Sequence, residues 1–165
     1  MTSPNNALYG LAIKRQILKE IRDAHIAHTK WVRRAKHLVE NLPVDEKMIP
    51  LDSTECHFGK WLYNDAMKYK NIPQLTETLH KIEEDHRDLH DMYLKIYKIY
   101  FLETKRSWMM NLVTQSRKEV PPKKQLEALN HYQSLEKISV MLIESFEKFE
   151  AHLLMQKDET LVILS

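Results

Sequence analysis

The sequence predicts an all-α protein, an antiparallel four-helix bundle, and three observations predict it. Only two of the 165 residues are glycine, while Leu, Lys, Glu, Ile and Met are abundant, so strong helix formers dominate. Apolar residues recur at spacings of three, four and seven over long stretches, the period of one helix face. Prolines fall between those stretches and mark short connections, which favour antiparallel neighbours. The expected inventory is three long helices and one short one, in a chain long enough to bury a core without disulfides.

The first helix is expected from about Leu8 to Leu42, with Leu11, Leu18, Ile21, Val32, Ala35, Val39 and Leu42 on its inner face. His25 and His28 fall in the same row. Asn5 or Asn6 can cap its start, and Pro43 ends it, because the residue before a proline resists the α conformation. Residues 44–52 contain Pro50 and read as a loop. Ser53 or Thr54 then offers an N-cap for a short helix to about Lys70, with Cys56 in its first turn.

Pro73 opens the next helix at a position where its missing N–H costs nothing. That helix is expected over about 74–117, facing Leu75, Leu79, Ile82, Leu89, Tyr93, Ile96 and Tyr100 inward. His86 shares the row of Leu79 and Tyr93, and His90 lies one turn later. After Pro121-Pro122, a last helix over about 123–156 is expected to bury Leu135, Ile138, Leu142, Phe146, Phe149 and Leu153. The bundle reads as one domain over 1–157, with the apolar 158–165 a tail or the start of a linker.

Charged residues make up 29% of the chain with a net charge of +2, and Lys and Glu are interspersed, so no field marks a nucleic-acid partner. No apolar run approaches the ~18 residues of a membrane span, and the start lacks the regions of a signal peptide. One cysteine cannot form an internal disulfide, which fits a reducing, cytoplasmic setting.

Chemistry concentrates in four residues. His86-Arg-Asp-Leu-His90 places two imidazoles one turn apart on one helix face, a pair able to chelate a metal ion. His28 lies in the apolar row of the first helix, and Cys56 at a helix start is favoured as a thiolate by the helix dipole. Three imidazoles and one thiolate suit Zn2+. Each has a plainer reading: a core histidine is often merely hydrogen-bonded, and a buried cysteine is often a small apolar side chain. His25, one turn before His28, could take its place.

The order His28-Thr-Lys-Trp31, then 24 residues, Cys56-His-Phe-Gly-Lys-Trp61, then 24 residues, and His86-x-x-x-His90 resembles the CZB family, the chemoreceptor zinc-binding domains of bacterial signalling proteins. The resemblance implies that His28, Cys56, His86 and His90 bind one zinc, with Trp31, Phe58 and Trp61 packed around it. It further implies a homodimer that senses zinc, or oxidants attacking the cysteine, and controls an output domain or signalling partner. The arrangement is similar to the type found N-terminal to diguanylate cyclases. Ile13, Ile26, Ile99, Phe101, Trp108, Met109 and Met110 lie off the main stripes and could supply the dimer face or thicken the core.

Rival functions fit less well. A di-iron bundle needs Glu-x-x-His copies on two different helices, and the two here, Glu77-Thr-Leu-His80 and Glu83-Glu-Asp-His86, fall on one expected helix. Four protein ligands leave no open coordination position, which argues against catalytic zinc and an enzyme. The alternative to sensing is a purely structural zinc site in a helical dimerisation module.

Overall fold

The computed structural model describes residues 4–44, 50–103 and 120–162, and these are helical with no strand among them. Helix α1 spans Pro4–Val39, α2 His57–Asn64, α3 Pro73–Tyr97, α4 Pro122–Met155 and α5 Asp158–Val162. A 3-10 helix over Ala66–Asn71 joins α2 to α3, and α3 continues as a π-helical stretch over Lys98–Glu103. The rest of the helix expected to 117 lies outside the described residues, as do Trp108, Met109 and Met110.

Helix α1 buries Gly10, Lys14, Ile17, Ile21, Ala24, His28, Trp31, Ala35 and Leu38. The steps alternate four and three without a break, which is the seven-residue repeat of a helix meeting its neighbours along one seam. The expected row stands one residue off at several points. Leu18, Val32 and Val39 are only partly buried against the core, and Leu8 and Leu42 are 68% and 48% exposed. The helix ends at Asn41, whose φ of 57° is the left-handed cap position. There the Leu42 and Asn41 N–H groups donate to the carbonyls of His37 and Leu38 at 2.8 and 3.0 Å, two bonds that close the helix before Pro43 is reached.

Helix α4 repeats the pattern, burying Ala128, Tyr132, Leu135, Ser139, Leu142, Phe146, Phe149 and Leu153, with Ser145 beside Phe146. Helix α3 buries every one of Leu75, Leu79, Ile82, Leu89, Tyr93 and Ile96. Pro73 and Pro122 stand in the first turns of α3 and α4, where a proline is pre-set for the helix. Helices α3 and α4 pack along one another, and α1 packs against α4 and α5. One polar contact pins the first of these pairs: the Ser145 hydroxyl donates to Asp85 at 3.1 Å, and Lys81 Nζ approaches the same carboxylate at 2.8 Å.

Two expectations are redirected here. Ile99 is buried in its own chain, and Ile13 and Phe101 pack on the core; of the apolar residues weighed for a second face, Ile26 is the described one that is exposed, at 54%. Residues 158–162 form α5, whose Leu161 is fully buried in the main core.

Candidate metal centre

Each ligand candidate arrives from a different local cause. His28 occupies one position of the α1 seam and is 5% exposed. Its Nδ1–H donates to the Ala24 carbonyl one turn back at 2.7 Å; a carbonyl can only accept, so Nε2 is left with a lone pair. His86 and His90 sit a turn apart on α3 at 0% and 2% exposure. His90 Nδ1–H donates to the Leu51 carbonyl at 3.2 Å, which again frees Nε2. A histidine whose far nitrogen is fixed by a carbonyl is the usual posture of a metal ligand.

Cys56 is the N-cap of α2, not a residue of its first turn, and Ser53 and Thr54 lie outside the helix in the turn before it. Its sulfur accepts the Gly59 N–H at 3.1 Å and lies 3.3 Å from His86 Nε2. The short helix stops at Asn64, earlier than expected, because Asp65 breaks the α geometry and the chain tightens into the 3-10 helix. Gly59 is buried, and a Cβ there would run into the Ser53 carbonyl and lie 3.3 Å from His86 Cε1. That glycine lets the cysteine turn close down on the imidazole.

The ligand atoms of His28, Cys56, His86 and His90 all lie within 4.8 Å of one another. Zinc–nitrogen and zinc–sulfur bonds of about 2.0–2.3 Å place tetrahedral ligands ~3.3–3.6 Å apart, so the widest pair needs to close by about 1 Å. Two buried nitrogens, His86 Nδ1 and His90 Nε2, have no hydrogen-bond partner among the described residues. A buried polar atom left unmatched is costly, and a cation at the centre of the group would satisfy His90 Nε2. The donor set, three nitrogens and one sulfur, suits zinc.

Electrostatics favours neutral imidazoles. Burial pushes His28 and His90 down to about 4 and His86 to about 2, with the neighbouring imidazoles adding to the effect. These rings are therefore in the metal-binding form at neutral pH. The thiol runs the other way. Burial raises the Cys56 pKa, and the N–H groups of Gly59 and Phe58 and the charge of Lys60 offset this only in part. The expected lowering by the helix start is outweighed, because desolvation of a thiolate costs more than two partial charges return.

Aromatic rings close the walls. Trp31 meets His90 with centroids 4.2 Å apart, and Phe58 meets His86 at 5.0 Å and His28 at 5.7 Å. Trp61 stands one layer out, against Phe58. Phe146 from α4 contacts both Phe58 and His28, a place beside the cluster that its apolar row in sequence does not reveal. His25 is not in the group, and the side chain of His57 is 84% exposed, 3.8 Å from Glu20.

The family model described as chemoreceptor zinc-binding domain, CZB, matches residues 28–97. A search of curated proteins and a search of solved structures find no match. No helix among the described residues is long and apolar enough to cross a membrane. The matched stretch runs from the first of the four clustered residues to the last turn of α3, so residues 28–97 of this chain are similar to the chemoreceptor zinc-binding domain, and the His3Cys group within them is positioned to hold zinc.

Proposed function

We propose that the chain is a zinc-binding regulatory domain of bacterial signal transduction, cytoplasmic and homodimeric, built as an antiparallel four-helix bundle. His28, Cys56, His86 and His90 hold one zinc ion. The observation that carries this reading is the convergence of four buried or half-buried donors from three helices within 4.8 Å. Bound there, the ion supplies a Lewis-acidic centre that ties the cap of α2 to α1 and α3. Four protein donors leave no position for a substrate, so the domain itself is not an enzyme.

The chain's own part is to hold three imidazoles rigidly and one thiolate less so. His28, His86 and His90 are fixed by long helices. Cys56 is fixed by an eight-residue helix and is only half-buried. An oxidant such as hypochlorite would convert the thiolate to sulfenic acid and be reduced to chloride, removing the sulfur donor. The cap of α2 then has two states, tethered and released, which is what a switch needs. The output, a diguanylate cyclase or a chemoreceptor pathway, would lie outside residues 1–165.

Elemental analysis of the purified chain should find about one zinc per protomer, and a chain carrying none, or two irons, would sink the reading. Hypochlorite should release zinc from the wild type faster than from Cys56→Ala reloaded with zinc. Equal release favours the second reading, a structural zinc in a dimerisation module, which the near-complete burial of His28, His86 and His90 also supports. Sedimentation of the zinc-loaded chain should give twice the protomer mass.

A further inference from the structure

We propose that the cleft beside the metal cluster binds a small organic anion with an apolar body. The cleft has a volume of about 500 Å³, within the range of ligand pockets. His28, Cys56 and His90 lie at one side of it, and Trp31 and Phe58 supply aromatic surface. Two rings and little polar lining favour an aromatic or aliphatic body. Asp23, Lys30 and Arg34 from α1 also line it. Asp23 is already engaged by Lys19 at 2.6 Å, so Lys30 sets the sign of the mouth, and that sign attracts an anion.

An occupant would cover the exposed part of Cys56 and so keep other molecules from the sulfur. That consequence for sensing rests on the proposed reading of Cys56 as a ligand; the binding does not.

The probe is 2-naphthoate, with uncharged 2-naphthamide as its control, titrated calorimetrically into the full chain both zinc-loaded and stripped of metal. One naphthoate per chain should bind, about five-fold more tightly than the amide, the scale of one partly exposed charge pair. Ala27 lines the cleft on the exposed side of α1, so Ala27→Trp should fill the space and abolish binding while leaving the helical circular dichroism unchanged. Lys30→Glu should erase the preference for the anion. In the stripped chain, naphthoate should slow alkylation of Cys56 by iodoacetamide several-fold.

No saturable binding, unchanged binding in Ala27→Trp, or the same anion preference in Lys30→Glu would each overturn the proposal. So would binding seen only with zinc present, since the carboxylate would then sit on the metal. Zinc content measured on the same samples separates the two readings. A chain that takes up no zinc when it is offered, yet binds naphthoate, refutes the zinc centre and keeps the cleft; a chain that takes up zinc and does not bind naphthoate does the reverse.

Discussion

At the scale of the residue, the four donors differ in the proton they must give up. His28, His86 and His90 are held neutral by burial, while the thiol of Cys56 is held protonated by it. A metal ion needs neutral imidazoles and a thiolate. Zinc uptake at pH 7 should therefore release about one proton per chain, all of it from the sulfur. Calorimetry in buffers of different ionisation enthalpy measures this; release of two or more would mean that an imidazole was protonated beforehand. Cys56→Ser should release none and should lower zinc affinity more than about a hundred-fold, beyond what loss of an outer partner costs. It should leave the bundle folded, since Leu62, Leu75, Leu79, Ile82, Leu89 and Ile96 are all 0% exposed and each contributes roughly 1.5–3 kcal/mol. The imidazoles also set a pH limit on the metal-free chain. Their folded-state pKa lies below the ordinary 6.5, so the stability they allow is present above pH ~6.5 and is lost as pH falls toward about 4. Denaturant midpoints of the stripped chain should fall across that window, and addition of zinc should move the loss to lower pH.

At the scale of the element, α2 is set by a glycine and a cysteine that do unusual jobs. Replacing Gly59 by alanine has two opposed effects. An alanine gains ~1 kcal/mol of helix propensity over glycine, but its Cβ meets the Ser53 carbonyl and crowds His86, and forced overpacking costs typically 1–3 kcal/mol. The obstacle is backbone, which cannot rotate aside, so the clash wins. Gly59→Ala should keep the helices and weaken zinc binding about ten-fold, the lower end for a displaced supporting contact; unchanged affinity would show that the turn before α2 is free to shift. This element also marks where the sequence stops being legible. In helix α3 the apolar row is legible because Leu75, Leu79, Ile82, Leu89, Tyr93 and Ile96 are large and apolar, while the buried Thr78 and Asp85 escape it. The α1 seam was read one residue off because Gly10, Lys14, Ala24 and Ala35 carry little hydrophobic signal, while Leu18, Val32 and Val39 on the flank carry much. In α4 the same blindness hid Ala128, Ser139 and Ser145. All four clustered donors were nevertheless identifiable, since their spacing is a pattern in sequence. The partners of those donors were not. The Leu51 carbonyl on His90 and Phe146 against Phe58 are pairings across 39 and 88 residues, and a thiol serving as N-cap stands outside the usual set of capping residues.

At the scale of the whole molecule, the chain closes on itself away from the metal. Lys14 is 7% exposed and bridges to the Gln156 carbonyl at 2.8 Å and to Asp158 at 2.6 Å. Gly10 lets the Asp158 backbone lie directly on α1, and Leu161 fills the core. Composition alone made these last residues look like a tail, because five residues are too few to show a helical period. If 1–157 were the complete folding unit, cutting after Lys157 would cost nothing. The buried leucine argues otherwise: losing one typically costs 2–5 kcal/mol, which for a chain of this size lowers Tm by on the order of 4–20 °C. Lys14→Met should cost less, about 1–3 kcal/mol, because Asp158 keeps 30% exposure and water can replace part of the lost bond. Neither change should touch metal content, since Lys14 and His28 are 14 residues apart in α1, ~21 Å along the axis. Thermal melts and zinc analysis on the two variants test both halves of the claim. An unchanged Tm after truncation would make α5 a passive end, whereas zinc lost together with Tm would mean that the clasp and the metal centre form one cooperative unit.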